Sequence, residues 1–503
     1  MNDPRPRLAA RCTLGAFAAM MVMMTAIPAY AQGDVEWEET LIYAPIDIGG
    51  DGAFVSRSLA VTEEFIFAGG PGVDASTGAV FLFGRRSGEQ IGRLTGSDSA
   101  IGDNFGHSLV VDDRFIVVAA PFHKALSQES GAVYVFDAAS RAELRKIVIE
   151  DADARFGWDV SFAGPDLIVG SPDQLGSGRV HVIDPDSGTT RGVLSADFGF
   201  LFLGTATAGS EQFIAAGAPN IGQRDGGRVY IFDRATLEPA GAFGAADPGT
   251  GDDFGGSLAM GRNNLLAVST GASPSPNLRE VTILDLNTRA RVARIAAPDD
   301  SDGFGREVLF GDSIGSDVIF VGANEAIVGN QRTGAVYAFD PRTGVQLSTI
   351  APESRGGDER IGESLAFYDD RLFAGAPRRT GAFFASGAVY RLERSDKLHT
   401  IPPVLTSFED SSFVVVGARP EERTWMLYSF DGISSGGTFL RRLNVVVSLE
   451  DPQLAWGPLR TDIDGDIAVP TLPPGVVEPL DVWFQLVQDS FVSNWISTQI
   501  LPQ

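Results

Sequence analysis

A pair of residues, Phe-Gly or a close substitute, recurs seven times along this 503-residue chain. Successive pairs lie 47 to 57 residues apart. The pairs are Phe54-Val55, Phe105-Gly106, Phe156-Gly157, Leu203-Gly204, Phe254-Gly255, Phe304-Gly305 and Ile361-Gly362. A repeat of about 40 to 50 residues with strand-like patterning is typical of β-propeller blades, because one small sheet buries its faces only against its neighbours. The repeat therefore predicts seven blades.

Each unit predicts four short antiparallel strands. In the second copy, strands are expected at 105–111, 115–119, 131–137 and 143–149, with a tight turn at Asp112-Asp113-Arg114. A glycine begins the third strand in every copy except the fifth. The fold class predicted is all-β, a propeller of four-stranded antiparallel blades.

A small residue followed by proline ends the second strand of most copies, at Gly70-Pro71, Ala120-Pro121, Ser171-Pro172, Ala218-Pro219 and Ala376-Pro377. With the Phe-Gly pairs, these elements resemble the FG-GAP repeat family, the blade type of the integrin α-subunit head and of many secreted bacterial proteins. The resemblance covers residues 39 to 402. Copies five and six depart from it, with Thr270-Gly271 and Ala323-Asn324 at the proline step. It implies adhesion or extracellular recognition.

Calcium is not expected in the blades. Many repeats of the family carry an Asp-rich calcium loop between their first two strands, whereas this chain has short turns there. One weak candidate loop lies at Asp462, Asp464 and Asp466, although an Asp-Gly hairpin turn explains the same residues. We therefore expect no cofactor.

The amino-terminal residues predict a secretory signal peptide over 1–31. Arg5, Arg7 and Arg11 precede an apolar run from Leu14 to Ile27, and Ala29-Tyr30-Ala31 forms a small-x-small cleavage pattern. A short membrane anchor is the alternative. Cleavage would remove Cys12, the only cysteine, so the mature protein is expected to be secreted, periplasmic or extracellular, without disulfides.

Two domains are expected after the leader: the propeller over 32–403 and a carboxy-terminal β-sandwich over 404–503. The second contains short strand patterns but no further repeat. Either Glu39–Tyr43 or Lys397–Ile401 could complete the last blade. We expect the amino-terminal strand to do so, since it would tie the two ends of the ring together.

The formal charge of −26 disfavours nucleic acid and anionic lipid as partners. No later segment is apolar enough to span a membrane. The partner expected is a protein or a glycan outside the cytoplasm.

The loops after the second and fourth strands of each blade share one face, which carries acids just before the Phe-Gly positions. We predict this face as the binding surface, with a carboxylate rim for a cation or a cationic partner. Asp is also simply a good turn residue, and that alternative stays open. The candidate residues are Asp51, Asp103, Asp153, Asp252, Asp302 and Asp358, together with His123, Lys124, Arg378 and Arg379.

No catalytic motif emerges from the sequence, and the four histidines lack metal-ligand spacing. The predicted function is a secreted, non-enzymatic binding or adhesion protein. Two alternatives remain: a structural envelope component, and a propeller enzyme of the periplasm. Asp184-Pro185 and Asp340-Pro341 resemble turns of quinone-dependent dehydrogenases, yet those propellers use recurrent tryptophans, and only Trp158 lies in a repeat here.

Overall fold

Seven four-stranded antiparallel sheets follow one another along the chain. The computed structural model describes residues 37–45, 52–125, 128–196, 202–219, 226–245, 253–270, 279–313, 316–351, 357–380 and 385–394, and ten separate strands between 399 and 500. Each sheet is a blade whose strands are numbered here from first to fourth in sheet order. The predicted seven-bladed propeller is confirmed, including the fifth and sixth blades, whose sequences depart most from the repeat.

The strands of the blades are short. Blade 1 contains Ser58–Val61, Phe65–Gly70, Ala79–Gly84 and Gln90–Leu94. Blade 2 contains Leu109–Val111, Phe115–Ala120, Ala132–Asp137 and Glu143–Val148. Blade 3 contains Val160–Ala163, Asp166–Ser171, Arg179–Asp184 and Thr189–Leu194. Blade 4 contains Thr207–Gly209, Phe213–Ala218, Arg228–Asp233 and Pro239–Gly244.

The remaining blades have the same order. Blade 5 contains Leu258–Met260, Leu265–Ser269, Glu280–Asp285 and Ala290–Ala296. Blade 6 contains Phe304–Ser313, Ser316–Ala323, Ala335–Phe339 and Gln346–Ile350. Blade 7 contains Leu365–Tyr368, Arg371–Ala376, Ala388–Arg394 and, as its fourth strand, Trp37–Tyr43.

Short hairpins and helical turns lie in the loops between the second and third strands of some blades and in one turn between a first and a second strand. They are the hairpins Lys124–Ala125 with Gln128–Glu129 and Ile327–Val328 with Gln331–Arg332, a helical turn at Val73–Ser76, and 3-10 turns at Gln174–Gly176 and Arg262–Asn264. In the part of the chain that the structure describes, no helix has the length and apolar character needed to cross a membrane.

The ring is closed by the amino-terminal strand, as expected. Trp37–Tyr43 pairs antiparallel with the third strand of blade 7, in a register that runs from Trp37 opposite Arg394 to Tyr43 opposite Val389. Tyr43 is fully buried, and its hydroxyl donates to the carbonyl of Arg85 in blade 1 (2.5 Å). The strand Trp37–Tyr43 therefore joins blade 7 to blade 1.

The first strands of adjacent blades contact each other at all seven junctions. They therefore lie nearest the axis and surround a central channel, while the fourth strands form the outer surface. Between each pair of adjacent blades lies a separate hydrophobic cluster. At the junction of blades 1 and 2, for example, Phe67 and Leu82 pack with Phe105, Val118 and Phe136.

Residues at the Phe position of each repeat are fully buried, and six of the seven bind the preceding blade through their backbone. The N–H of Phe105 donates to the carbonyl of Thr77 (3.0 Å), directly before the glycine that begins the third strand of blade 1. We call this contact the backbone clip. It recurs at six junctions, where Val55 donates to Ser386, Phe105 to Thr77, Phe156 to Ser130, Leu203 to Ser177, Phe254 to Gly226 and Ile361 to Thr333.

The junction of blades 5 and 6 differs. There the third strand begins at Glu280 without a leading glycine, and Phe304 donates to Ser301 in its own loop (3.0 Å). This copy lacks the leading glycine, and Leu278, which stands at the position of the clip acceptor, lies outside the described residues.

The clip explains why glycine begins the third strand. Gly131 has φ +88°, and a Cβ on it would lie 2.2 Å from the carbonyl oxygen of Phe156. No side chain fits that space, and the left-handed backbone also favours glycine.

The register of the first copy is shifted by one residue from the predicted pair Phe54-Val55. Val55, not Phe54, is fully buried and bridges to the leading glycine Gly387, as Phe105 does to Gly78. Ser56 then occupies the glycine position with φ 75°. The predicted pair lies one residue too early because an aromatic residue stands at 54, whereas this copy uses valine at the buried position.

The carboxy-terminal strands form separate antiparallel sheets. One contains His399–Ile401, Ser412–Val416 and Ile467–Pro470, and a second contains Gln453–Arg460, Arg423–Ser429, Leu480–Gln488, Phe491–Val492 and Ile496–Ile500. A third pairs Ile433–Leu440 with Val445–Leu449. The predicted β structure of this region is confirmed. Since His399–Ile401 pairs with Ser412–Val416, the last propeller strand in the chain is Ala388–Arg394.

Gly131→Ala should destabilise the protein by about 3 kcal/mol, because it combines backbone strain with a clash against the Phe156 carbonyl. Gly102→Ala is the matched control: its φ of +93° imposes similar strain, but a Cβ there meets nothing within 4 Å. Thermal melts should show the larger loss of Tm for Gly131→Ala. Equal losses would contradict the role of close blade approach.

Candidate functional site

A cavity of about 430 Å³ lies at the channel mouth, on the face formed by the loops after the second and fourth strands. Blades 1, 6 and 7 build it. We call it the mouth pocket; it is lined by Arg57, Arg306, Arg360 and Arg378, by Glu325 and Glu363, and by Phe54, Pro71, Asn324 and Pro377. The mouth pocket is therefore rich in arginine, although the chain as a whole is acidic.

The floor of the mouth pocket is organised around the carboxylate of Glu363, which is about 6 % exposed. Arg306 donates to it from Nη2 (2.8 Å) and Nε (3.1 Å), and Arg57 forms a second ion pair with the same oxygen. The amide of Asn324 donates to the other oxygen (2.5 Å). Residues distant in sequence are thus fixed in one network.

Burial, together with the nearby cations Arg306 and Arg360, lowers the pKa of Arg57 to about 9. Arg57 stays charged at neutral pH. The guanidinium groups nevertheless repel one another, and an anion placed among them would reduce this repulsion.

Arg360 stands at the rim of the mouth pocket. Its Nη2 lies 3.4 Å from the carboxylate of Glu325. Its buried Nε has no hydrogen-bond acceptor among the residues that the structure describes. A guanidinium carries several N–H donors in a rigid fork, and this one leaves donors unused.

The residue before each Phe position has a left-handed backbone in all seven copies. The set is Phe54, Asn104, Arg155, Phe202, Asp253, Gly303 and Arg360, with φ between 44° and 77°. Six of the seven are not glycine, and this conformation is costly for bulky side chains. The turn holds these side chains around the mouth, including Phe54 and Arg360 in the mouth pocket.

Aromatic side chains occupy the opposite side of the mouth, at blades 2 and 3. The guanidinium of Arg155 lies over the rings of Trp158 (5.2 Å) and Phe122 (5.6 Å) and pairs with Asp173 (2.8 Å). His107 lies against Trp158, with ring centroids 4.7 Å apart. Burial lowers the pKa of His107 to about 3, so it is neutral at physiological pH.

Two carboxylates face the channel interior. Asp159 accepts hydrogen bonds from Ser108 (3.1 Å) and from the N–H and hydroxyl of Thr207 (2.7 and 2.9 Å). Burial, together with the charge of Asp159, raises the pKa of Glu307 to about 8. Glu307 therefore holds a proton at neutral pH.

Asp103 and His123, two of the predicted site residues, are brought together but lie inside the protein. Asp103 is 2 % exposed and His123 is 5 % exposed, and the Asp103 carboxylate lies 2.8 Å from His123 Nδ1. Asp103 also accepts from the N–H of Ala100 (2.8 Å). The pair anchors the loop before Phe105.

Several other predicted residues form local ion pairs. Asp302 pairs with Arg279 (2.5 Å), and Asp358 with Arg378 (2.6 Å) at the edge of the mouth pocket. Lys124 pairs with Glu129 (3.3 Å).

Arg379 lies over the ring of Tyr390 (4.9 Å), whereas Asp153 is exposed. Asp51, Asp252, Asp462, Asp464 and Asp466 lie outside the described residues. Within the described ranges, no group of three or more His, Cys, Asp or Glu side chains is arranged to hold a metal ion.

The sequence analysis named Arg378 but missed Arg57, Arg306, Arg360 and Glu363. The sequence contains a common feature that could have identified three of these four residues. Arg57, Arg306 and Glu363 each lie two residues after the buried Phe position, at or just before the start of a first strand, which is the strand nearest the axis. Reading that one position across all copies would have located the channel lining.

Glu307 should make stability depend on pH. Its pKa is about 8 in the folded protein and near the ordinary value of 4.5 when unfolded. As the pH rises between these values, the unfolded state releases the proton first, so the free energy of unfolding falls. We expect the free energy of unfolding of Glu307→Gln, relative to that of the wild type, to rise by about 3 kcal/mol between about pH 5 and pH 8. Denaturant unfolding of both proteins at pH 5 and pH 8 measures this difference. An unfolding free energy that changes equally with pH in wild type and variant would contradict the prediction.

Comparison with known proteins supports the assignment of the repeat. A model of the FG-GAP repeat family matches residues 89–136, which run from the fourth strand of blade 1 to the third strand of blade 2. No curated protein matches the chain significantly. The family match, the seven copies in register and the seven closed blades together support an FG-GAP β-propeller of the integrin α-like type.

Proposed function

We propose that this is a secreted, non-enzymatic binding protein whose propeller presents the channel mouth to a ligand. The mouth pocket is the observation that carries the proposal. It gathers charged side chains from three blades into one concavity with a partly apolar lining, a combination typical of ligand sites. The carboxy-terminal sheets would act as a spacer or as a second contact module.

Rigidity supports a role in recognition. The Glu363 network fixes Arg57 and Arg306, and the left-handed turns fix the backbone at Phe54 and Arg360. A site that is already ordered loses little conformational entropy when it binds. Tight recognition would therefore need no rearrangement of the propeller.

The leader supports secretion. We expect export to remove residues 1–31 and to leave Gln32 as the first residue. Intact mass spectrometry of protein expressed with its own leader and recovered outside the cytoplasm tests this. Recovery of the uncleaved chain in the membrane fraction would favour the amino-terminal anchor instead.

Binding through the mouth face can be tested with two arginine variants. Each arginine pairs with an aspartate: Arg378 with Asp358 beside the mouth pocket, and Arg114 with Asp186 on the opposite face. Ligands from a glycan array or a pull-down of extracellular material should bind Arg378→Glu at least about tenfold more weakly. Arg114→Glu should bind them like the wild type. Equal binding by both variants would exclude the mouth face.

A further inference from the structure

We propose that the mouth pocket binds the carboxylate of an acidic sugar, a uronic acid unit at the end or along the chain of a polysaccharide. The inference deepens the proposed function, on which it depends, by naming the ligand class.

The excess of cations favours an anionic ligand. Four arginines line the mouth pocket with two glutamates, Glu325 and Glu363. Asp358 beside the pocket pairs with Arg378, and Arg332 shares Glu325 with Arg360, so cations outnumber carboxylates here. A singly charged carboxylate meets less repulsion from a protein of charge −26 than a doubly charged phosphate group does.

The hydrogen-bonding groups favour an oxyanion. Guanidinium groups bind carboxylates and phosphates through two parallel N–H bonds. Arg57 and Arg360 each make one ion pair within the pocket, and the Nε of Arg360 lacks an acceptor among the described residues. A small turn of the Arg360 side chain would present two donors to an arriving carboxylate, with Arg57 beneath it.

The apolar lining favours a ring-shaped ligand. Phe54 is 37 % exposed, although it is a large aromatic residue, and its left-handed backbone keeps it at the rim. Pro71 and Pro377 line the same pocket. The C–H face of a sugar ring can pack on these surfaces while Asn324 and the arginines meet its polar edge. A cavity of about 430 Å³ accommodates a ligand of one or two rings.

The direct test uses ligand pairs that differ only in the carboxylate. Glucuronate and galacturonate are titrated calorimetrically into the full-length protein, beside glucose and galactose. We expect a uronate Kd on the order of 0.1–1 mM and at least about tenfold weaker binding of the neutral sugars. Equal affinity for acid and neutral sugar would overturn the proposal, and so would inorganic phosphate or sulfate binding as tightly as the uronates.

Arg360→Gln should weaken uronate binding by at least about tenfold, because it removes the guanidinium fork while keeping a side chain of similar length. Arg360→Lys keeps the charge without the fork and should recover only part of the affinity. Arg114→Gln on the opposite face should bind like the wild type, and thermal melts show that each variant is folded. Unchanged uronate affinity of folded Arg360→Gln would assign the binding elsewhere and overturn the proposal.

The two proposals fail separately. If a glycan array or pull-down identifies a ligand whose binding is unaffected by free uronate, the uronate site is wrong and the binding function stands. If purified protein retains no extracellular ligand but still binds uronate with the predicted Arg360 dependence, the pocket chemistry is right and the platform role is wrong.

Discussion

The backbone clip between adjacent blades is the contact on which the architecture depends. A buried residue, most often Phe, donates its N–H to the turn that begins the third strand of the preceding blade, and the glycine of that turn leaves room for the approach. The same few residues therefore set the blade spacing, bury an aromatic ring and begin the strand beside the channel. Serine hydroxyls form further hydrogen bonds between blades. Ser58, for example, donates to the Gly106 carbonyl of the next blade (2.8 Å).

Much of the fold was predictable because the clip imposes a local residue pattern. Glycine is required where the backbone is left-handed and crowded, and a large apolar residue is required where the ring is buried, so the repeat appears in a single sequence. The amino-terminal closure was also predictable, since one extra strand pattern preceded the first unit. The register of the first copy was not predictable from the sequence. Valine replaces phenylalanine at the buried position there, and an aromatic residue stands one position earlier.

The site was harder to predict than the fold. Arg57, Arg306 and Glu363 belong to blades 1, 6 and 7, and their proximity appears only once the ring closes. The aspartates before the Phe positions recur in the sequence, and Asp103, Asp302 and Asp358 have partners within the protein. Arg57, Arg306 and Glu363 stand at a position of the repeat at which the copies differ.

Hydrogen–deuterium exchange of the intact protein, read by mass spectrometry, tests the clip most directly. The amide of Phe156 lies outside any strand but donates to Ser130 of the preceding blade. If the clip holds the blades together, the peptide containing Phe156 should exchange as slowly as the buried second strand Phe115–Ala120. Exchange as fast as that of the exposed turn at Ser140 would show that the blades are not joined in this way and would contradict the account.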